Sequence, residues 1–266
     1  YVQVKFKRKP GVLDPAQTHG NTLLEIGWII LPTLVLAIVA VPTVITIFDN
    51  ANSPDPNALT INVTGHQWWW EFEYPHPTDD DSYVSVSNEL HIPAGEVVNI
   101  NLESKDVLHS FWIPKLAGKV DMVPNEGNYM WFEADEPGEY YGQCAEYCGE
   151  SHANMKFKVI AVPEVDFNSW LQYQSQPAIE SGDPLALDGA DAFKDAGCSG
   201  CHALKTVVKK GSKGRVGPNL AHLASRQDLA AGMLDNSNPD GSVNDSYLQE
   251  NLRKWIQDPK WIQDPK

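Results

Sequence analysis

Positive charge is scarce in this chain. Its 266 residues include 20 Lys and Arg against 35 Asp and Glu, which gives a formal net charge of −15 at pH 7. Proteins that bind nucleic acid carry basic patches for the phosphate backbone, so this charge balance argues against a nucleic-acid partner. The length is sufficient for two compact domains together with a membrane segment.

Cysteine is also scarce. The four cysteines fall into two close pairs, Cys144 with Cys148 and Cys198 with Cys201. This grouping suits two separate cofactor sites better than a disulfide framework. The sequence therefore predicts two sites, one around each pair.

The sequence contains one long apolar run, at residues 26–48. These 23 residues carry no charge and are enough to cross a bilayer with some tilt. A membrane helix tolerates Pro32 and Pro42 better than a buried helix of a soluble protein, which is the alternative. Basic residues before the run and acidic residues after it place residues 1–22 in the cytoplasm and the chain from residue 49 outside.

The first cysteine pair lies among soft metal ligands. Cys144 and Cys148 are followed by His152 and Met155, so two thiolates, an imidazole and a thioether fall within twelve residues. This set selects copper over magnesium, calcium or manganese, and a weak methionine ligand is typical of copper sites that carry electrons. Structural zinc uses Cys and His without Met, so zinc is the weaker interpretation. A disulfide is the simplest alternative, but it would need neither the histidine nor the methionine.

A second imidazole should complete such a copper site, and His109 is the candidate. A lone histidine beside apolar residues, here Leu108 and Phe111, is more often a core residue than a ligand. The position of His109 shortly before the cysteine loop favours the ligand role.

Short alternating runs with turn residues between them fill the chain around these ligands. They predict an antiparallel β-barrel or sandwich. With a metal loop late in the domain and a histidine before it, this pattern indicates a cupredoxin-like domain, in which rigid strands carry ligand-bearing loops. The predicted strands cover residues 59–64, 68–74, 83–86, 97–102, 129–133 and 156–161.

The second cysteine pair, Cys198 and Cys201, is followed directly by His202, which completes the Cys-x-x-Cys-His pattern of covalent c-type haem. Two thioether bonds would fix the haem on one turn, and the adjacent histidine would reach the iron. A thioredoxin-like redox pair is the alternative for Cys-x-x-Cys alone. The Gly-Pro-Asn-Leu run at residues 217–220 favours haem, because such loops in cytochrome c place a backbone carbonyl against the iron-binding imidazole.

A cytochrome c also needs a sixth iron ligand, normally a methionine late in the domain. Met233 is the only methionine after the haem pattern, and His222 is the other fallback candidate. Residues 255–260 are repeated letter for letter as residues 261–266, which indicates an incomplete or uncertain sequence at this end. We therefore expect the axial methionine to lie beyond the given residues.

The residues around the first pair resemble a known family. His109, followed by Pro-Gly-x-Tyr-x-Gly-x-Cys-x-Glu-x-Cys-Gly-x-x-His-x-x-Met at residues 137–155, is similar to the dinuclear copper A site of cytochrome c oxidase subunit II. The chain resembles that family over nearly its whole length, with a cytochrome c domain fused at the C-terminal end. The resemblance implies that Cys144 and Cys148 bridge two coppers. His109 and His152 would bind one copper each.

Further roles follow from the same resemblance. Met155 and the backbone carbonyl of Glu146 would be weak copper ligands, and the Glu146 carboxylate would reach a magnesium ion at the border with subunit I. Trp68, one of three consecutive tryptophans that cannot all face inward on a strand, would be where electrons enter from a docked haem; packing at an interface or membrane edge is the alternative. Glu25, at the inner end of the apolar run, would lie near the mouth of a proton-uptake path, although a solvated glutamate is an equally simple interpretation.

The resemblance implies an electron-transfer subunit of a respiratory haem-copper cytochrome c oxidase. Electrons would pass from a donor, such as cytochrome c, a copper protein or an upstream respiratory complex, through haem c and copper A to haem in subunit I. Oxygen would be reduced to water there, coupled to proton translocation, so this chain would hold no catalytic residue of its own. The partners would be subunit I, other oxidase subunits and the lipid of a bacterial cytoplasmic membrane, with both cofactor domains on the periplasmic face.

Three other classes fit less well. A nitrous oxide reductase needs many more histidines in one cluster, and those left here are dispersed. Quinol-oxidising relatives lack the copper cysteines. A membrane-tethered electron carrier without an oxidase core stays open.

The domain organisation follows from these assignments. We expect a cytoplasmic segment and transmembrane helix at residues 1–48, with the helix at about 23–48, and a first helix of a hairpin upstream of Tyr1. A copper A domain should occupy residues 49–163 and a linker residues 164–186. A small all-α cytochrome c domain should occupy residues 187–266.

Overall fold

The computed structural model describes residues 1–11, 13, 17, 19–211 and 216–259. The chain divides into two compact units, Tyr1–Asp49 and Asn50–Lys266. The repeated residues 261–266 lie outside the described part of the chain.

The N-terminal unit contains a short helix, α1 (Val2–Lys5), and the long helix α2 (Thr22–Asn50). Asn21 caps α2, because its side-chain oxygen accepts hydrogen bonds from the N–H groups of Leu23 and Leu24. Among the described residues, α2 is the one helix long and apolar enough to cross a membrane. At 29 residues it is about 43 Å long, since an α-helix rises 1.5 Å per residue. The predicted helix is confirmed.

The second unit is built on a sandwich of two β-sheets. The six-stranded sheet has the order β11-β3-β2-β1-β5-β8, and the five-stranded sheet has the order β4-β10-β9-β6-β7. The first sheet consists of β1 (Leu59–His66), β2 (Trp69–Pro75), β3 (Ser82–Ser87), β5 (Val97–Ser104), β8 (Asn128–Glu133) and β11 (Val207–Lys209); the second of β4 (Glu89–Pro93), β6 (His109–Trp112), β7 (Val120–Met122), β9 (Gly138–Cys144) and β10 (Lys156–Val162).

The expectation of an antiparallel barrel or sandwich is confirmed for the sandwich and corrected for the strand directions. The strands of the sandwich form two sheets, and two of their pairs, β1 with β5 and β4 with β10, are parallel. Side chains alternate between the two faces of a strand whatever the direction of its neighbour, so the sequence pattern predicts strands and not their pairing.

Alternation along the strands places large apolar side chains between the sheets. On β2, the side chains of Trp70, Phe72 and Tyr74 are fully buried. Phe157 on β10 stacks on Phe111 of β6 with 4.6 Å between ring centroids. These aromatic side chains border the predicted copper ligands, since the ring of Trp70 lies 6.1 Å from the ring of His109 and Phe111 pairs with Cys144.

The residues after the sandwich are not all helical, in contrast to the expected all-α domain. They form α3 (Glu164–Gln174), α4 (Pro184–Asp195), a hairpin of β12 (Asp228–Leu229) and β13 (Leu234–Asp235), and α5 (Asp245–Gln257). In addition, β11 pairs with β3 and extends the first sheet of the sandwich. The helix α3 lies in the stretch expected as a linker. It packs on the sandwich, since the ring centroids of Trp170 and Tyr74 lie 5.1 Å apart.

The close contact between Gly142 and Phe157 generates a stability prediction. A Cβ atom at Gly142 would lie 2.1 Å from the Phe157 ring, which is 1% exposed. We therefore expect Gly142→Ala to destabilise the fold by about 1–3 kcal/mol through overpacking. Thermal unfolding of the full chain in detergent would show a lower midpoint.

Gly138→Ala is the matched control on the same strand. Its Cβ would meet nothing closer than the Tyr140 ring at 3.9 Å. An equal loss of stability in the two variants would contradict the overpacking explanation.

Candidate metal centre

The cysteine loop connects two neighbouring strands of one sheet. Cys144 is the last residue of β9, and β10 begins at Lys156. The loop closes on itself because the Cys144 N–H donates to the Met155 carbonyl at 2.9 Å. It is also tied to β6, because the Ala145 N–H donates to the Ser110 carbonyl at 2.9 Å. The hydrogen-bonded sheet therefore fixes the start and the end of the loop.

The structure brings all six predicted copper ligands together. The two cysteine sulfurs are 3.8 Å apart, too far for a disulfide, whose S–S length is about 2.05 Å. The ligand atoms of His109, Cys144 and Cys148 all lie within 4.8 Å of one another. The remaining separations are 3.8 Å from Cys144 Sγ to His109 Nδ1, 3.5 Å from Cys148 Sγ to His152 Nδ1, 3.7 Å from Cys148 Sγ to Met155 Sδ and 3.2 Å from Cys144 Sγ to the Glu146 carbonyl.

The two thiols are buried and strongly coupled. Cys144 is 5% exposed and Cys148 is 3% exposed. The hydrogen bond between them is the largest cause that lowers the pKa of Cys144, and the same bond, with burial, raises the pKa of Cys148. Two thiolates this close repel each other, so without a cation they share one negative charge. A bound metal would allow both to ionise.

Asp106 orients His109. The His109 Nε2–H donates to Asp106 Oδ1 at 2.8 Å, which leaves Nδ1 facing the Cys144 sulfur. Burial lowers the pKa of His109, but the hydrogen bonds with Cys144 and Asp106 outweigh burial and raise it. Burial raises the pKa of Asp106, but hydrogen bonds from His109 and from the N–H groups of Val107 and Gln67 outweigh burial and lower it. The sequence-based prediction did not include Asp106; its signal was an acidic residue three positions before the histidine.

The donor set fits copper. Two thiolates, two imidazoles and a thioether are soft ligands, and the thioether sulfur of Met155 is fully buried beside Cys148. A zinc site would use only the four Cys and His ligands and would leave the buried Met155 sulfur without a role. The buried loop therefore presents a donor set that suits a soft metal.

Trp68 lies against the copper-binding loop. The indole N–H of Trp68 and the side-chain amide of Gln67 both donate to the Cys148 carbonyl, at 3.1 and 2.7 Å. Gly149 permits this approach: its φ is +118°, and a Cβ there would lie 3.1 Å from both side chains. Trp68 is half-buried, which agrees with the prediction that the three consecutive tryptophans cannot all face inward.

The second cysteine pair lies on a tight turn next to His202. Cys198 begins a 3₁₀ turn, and the His202 N–H donates to the Cys198 carbonyl at 3.0 Å. The His202 Nδ1–H donates to the Pro218 carbonyl at 2.8 Å, as the Gly-Pro-Asn-Leu pattern predicts. This contact directs Nε2 away as the free ligand atom. Gly217 is needed there, because a Cβ would lie 2.6 Å from the His202 ring.

The two fallback axial ligands differ in their surroundings. The His222 Nε2–H donates to the Gln176 carbonyl at 3.0 Å, and the ring packs edge-on against Tyr173. That nitrogen therefore already donates a hydrogen bond to the chain just after α3. Met233 is half-buried next to the β12–β13 hairpin. Glu25 lies in the first turn of α2 and is half-buried within the N-terminal unit.

The fold and the site define a membrane-anchored protein whose cupredoxin-like sandwich carries a buried metal site of sulfur and imidazole ligands. Residues 59–162 match the family described as cytochrome c oxidase subunit II, periplasmic domain. Cytochrome c oxidase subunit 2 of Alkalihalophilus pseudofirmus is 41% identical over 265 residues, which cover 97% of this chain and 71% of that protein. The chain belongs to the cytochrome c oxidase subunit 2 family, and it is therefore a subunit of a haem-copper oxidase, an oxidoreductase.

Two further proteins are similar to this chain. Cytochrome c oxidase subunit 2 of Bacillus sp. strain PS3 is 38% identical over 272 residues, covering 96% of this chain and 71% of that protein. A crystal structure of the periplasmic domain of cytochrome oxidase subunit II from Bradyrhizobium japonicum is 32% identical, with a TM-score of 0.42, and covers 45% of this chain and 95% of that one. The family assignment rests on the two sequence relatives. Membership of this family implies a copper A site and a sandwich domain outside the membrane.

The hydrogen bond between Asp106 and His109 can be tested directly. Asp106→Asn keeps the shape of the side chain but weakens its hold on the imidazole. We expect copper affinity to fall about 10- to 100-fold, as is typical when a ligand loses its orienting partner. Copper titration of the purified chain measures the change.

Glu126→Gln is the control, since Glu126 is an exposed carboxylate at which no contact with the ligands is found among the described residues. If both variants bind copper as the unaltered chain does, Asp106 does not position His109.

Proposed function

We propose that this chain is the electron-accepting subunit of a respiratory haem-copper cytochrome c oxidase. It takes up electrons through a covalent haem c and passes them through dinuclear copper A to haem in subunit I. Oxygen is reduced to water there, coupled to proton translocation. The observation that carries the proposal is the buried cluster in which His109, Cys144 and Cys148 present their ligand atoms within 4.8 Å of one another.

Cys144 and Cys148 would bridge two copper ions, and His109 and His152 would bind one each. A thiolate-bridged copper pair supplies one-electron redox chemistry when bound. The protein holds the ligands on strand ends and a short turn, buries the sulfurs, and orients His109 through Asp106. Burial and fixed ligands reduce the rearrangement that accompanies each change of charge.

Two weaker copper ligands complete the proposed site. Met155 is buried with its sulfur 3.7 Å from Cys148, and the Glu146 carbonyl lies 3.2 Å from the Cys144 sulfur. The Glu146 carboxylate is half-exposed next to this carbonyl and would bind magnesium at the border with subunit I.

Cys198, Cys201 and His202 would bind haem c. Support comes from the two free, accessible thiols on one turn and from the Pro218 carbonyl, which orients the imidazole. Electron transfer through iron is the chemistry that haem supplies when bound. The sixth ligand would be a methionine beyond the given residues; Met233 is the secondary candidate, and the hydrogen bond from His222 to Gln176 disfavours His222.

Trp68 would be where electrons enter toward copper from a docked haem. Its half-buried ring is hydrogen-bonded to the carbonyl of Cys148, a bridging ligand. The donor would be cytochrome c, a copper protein or an upstream respiratory complex, and the acidic chain would favour a basic partner surface.

The proposed organisation places residues 1–22 in the bacterial cytoplasm and both cofactor domains in the periplasm. The copper A domain would occupy residues 49–163 and the cytochrome c domain residues 187–266, with residues 164–186 between them. The basic residues before α2 and the acidic chain after it support this orientation. Subunit I and further oxidase subunits would surround α2 in the membrane.

A crossed pair of variants in the native complex tests the two cofactor sites. We expect Cys148→Ser to lose copper and oxygen uptake but to keep covalent haem, because a hydroxyl does not replace a bridging thiolate. The double variant C198A/C201A should keep copper but lose covalent haem, which stays attached to the wild-type chain after denaturation. Metal analysis, haem staining of a denaturing gel and oxygen uptake give the three readouts.

The purified wild-type complex is the reference for this comparison and should contain a haem-copper subunit. Copper uptake without oxygen consumption would indicate a tethered electron carrier instead of an oxidase subunit. Haem retained by C198A/C201A would refute the haem assignment, and copper retained by Cys148→Ser would refute the copper assignment.

Glu25 can be tested for a role in proton uptake. Because glutamine cannot release a proton, Glu25→Gln should lower the oxygen-reduction rate of the complex severalfold while copper content stays the same. Asp49→Asn, at the other end of the same helix, is the control. Unchanged turnover in Glu25→Gln would remove the proton-loading role.

A further inference from the structure

The chain after His202 is hydrogen-bonded to the sandwich at β3. The Asn219 N–H donates to Ser87 Oγ at 3.2 Å, and its side-chain amide donates to the Ser85 carbonyl at 3.4 Å. The Ser85 N–H in turn donates to the Thr206 carbonyl at 2.8 Å. Asn219 is 5% exposed, so this contact is a buried one. The loop that orients His202 is therefore held directly on the copper-binding domain.

Trp69 contacts the same loop. Its indole N–H donates to the Val216 carbonyl at 3.3 Å, and its ring stacks on His66 with centroids 4.0 Å apart and planes 10° apart. Trp69 is 7% exposed. An indole has one donor and no acceptor, so the Val216 carbonyl satisfies its polar atom. The indole of Trp69 is thus held on its face by His66 and at its N–H by the Val216 carbonyl.

The neighbours of Trp69 in the sequence reach the copper ligands. Trp68 donates its indole N–H to the Cys148 carbonyl at 3.1 Å. The ring of Trp70 lies 6.1 Å from the ring of His109, between centroids. A short stretch of backbone therefore joins Trp69 to both halves of the candidate copper site.

On the other side, Val216 lies two residues before Pro218, whose carbonyl accepts the hydrogen bond from His202 Nδ1 at 2.8 Å. Covalent bonds and three hydrogen bonds consequently connect the imidazole of His202, through Trp69, with Cys148. Electron tunnelling weakens less along bonded paths than across gaps, so such a connection favours transfer between the two ends.

We propose that Trp69 is the positioning residue for electron transfer within the chain, from the haem bound at His202 to the copper pair. The proposal rests on the proposed function. One electron moves per step: the iron is oxidised by one electron, the copper pair is reduced by one, and no bond forms or breaks and no proton is transferred. The route reaches Cys148 through the indole N–H of Trp68, so Trp69 would supply the step between the His202 loop and Trp68.

The variant Trp69→Phe tests the route, because phenylalanine keeps an aromatic ring over His66 but has no N–H for the Val216 carbonyl. In the complex that holds both cofactors, we expect the rate of electron equilibration between haem c and copper after flash reduction to fall severalfold. Copper content and both optical spectra should be unchanged. Trp131→Phe is the control, since Trp131 also donates its indole N–H to a backbone carbonyl, that of Asn50.

A second readout needs no cofactor. In a full chain carrying C198A/C201A and no copper, Trp69→Phe should speed amide hydrogen exchange in residues 216–222 about fivefold, which corresponds to the loss of one hydrogen bond. Trp131→Phe should leave that segment unchanged. Unchanged exchange in Trp69→Phe would show that the Val216 contact does not exist and would overturn the proposal whatever the rate.

The two readouts together separate the outcomes. Faster exchange with a slower electron transfer supports the proposal, whereas faster exchange with an unchanged rate makes Trp69 a structural contact only and refutes it. Should Trp69→Phe fail to fold, Ser87→Ala loosens the same loop from β3 and should show the same pair of changes. If the denatured wild-type chain carries no covalent haem, the proposed function fails, and the exchange measurement still tests the contact.

Discussion

The pairing of β6 with β9 is the constraint on which the site depends. In this register Phe111 lies opposite Cys144, so His109 at the start of β6 and Cys144 at the end of β9 converge at one edge of the sheet. The loop then returns Cys148 to 3.8 Å from Cys144 in a buried position. Two buried sulfurs at that distance cannot both carry a negative charge without cations between or beside them. The fold thus presents a pair of sulfur ligands that can both ionise when a metal is bound.

Close approach between backbone and aromatic rings keeps this edge rigid. A Cβ at Gly65 would lie 2.9 Å from the His109 ring, and one at Gly149 would meet Trp68. Glycine at these positions lets β1 and the copper loop pack against the ligands without intervening side chains. Asp106 fixes the remaining nitrogen of His109. A site held in this way changes its charge with little reorganisation, which is what fast electron transfer requires.

The sequence predicted the ligands better than it predicted their surroundings. The transmembrane helix and six strands follow from hydrophobic patterns, and the six predicted copper ligands, which the structure brings together, follow from local motifs and from the family resemblance that these motifs carry. The strands β4, β6 and β7 were missed because they are short, and β9 was missed because its sequence, Gly-Glu-Tyr-Tyr-Gly-Gln-Cys, has no regular alternation of apolar and polar residues. Asp106, the parallel pairs and the contact of Trp69 with Val216 depend on residues far apart in the chain or on pairing geometry, which residue spacing does not encode.

The most direct test of the account is the electron paramagnetic resonance spectrum of the oxidised full chain, measured together with its copper content. A pair bridged by Cys144 and Cys148 should bind two coppers per chain and share one unpaired electron, with hyperfine splitting from both nuclei. A spectrum of one isolated copper ion, or a chain that binds zinc and no copper, would contradict it.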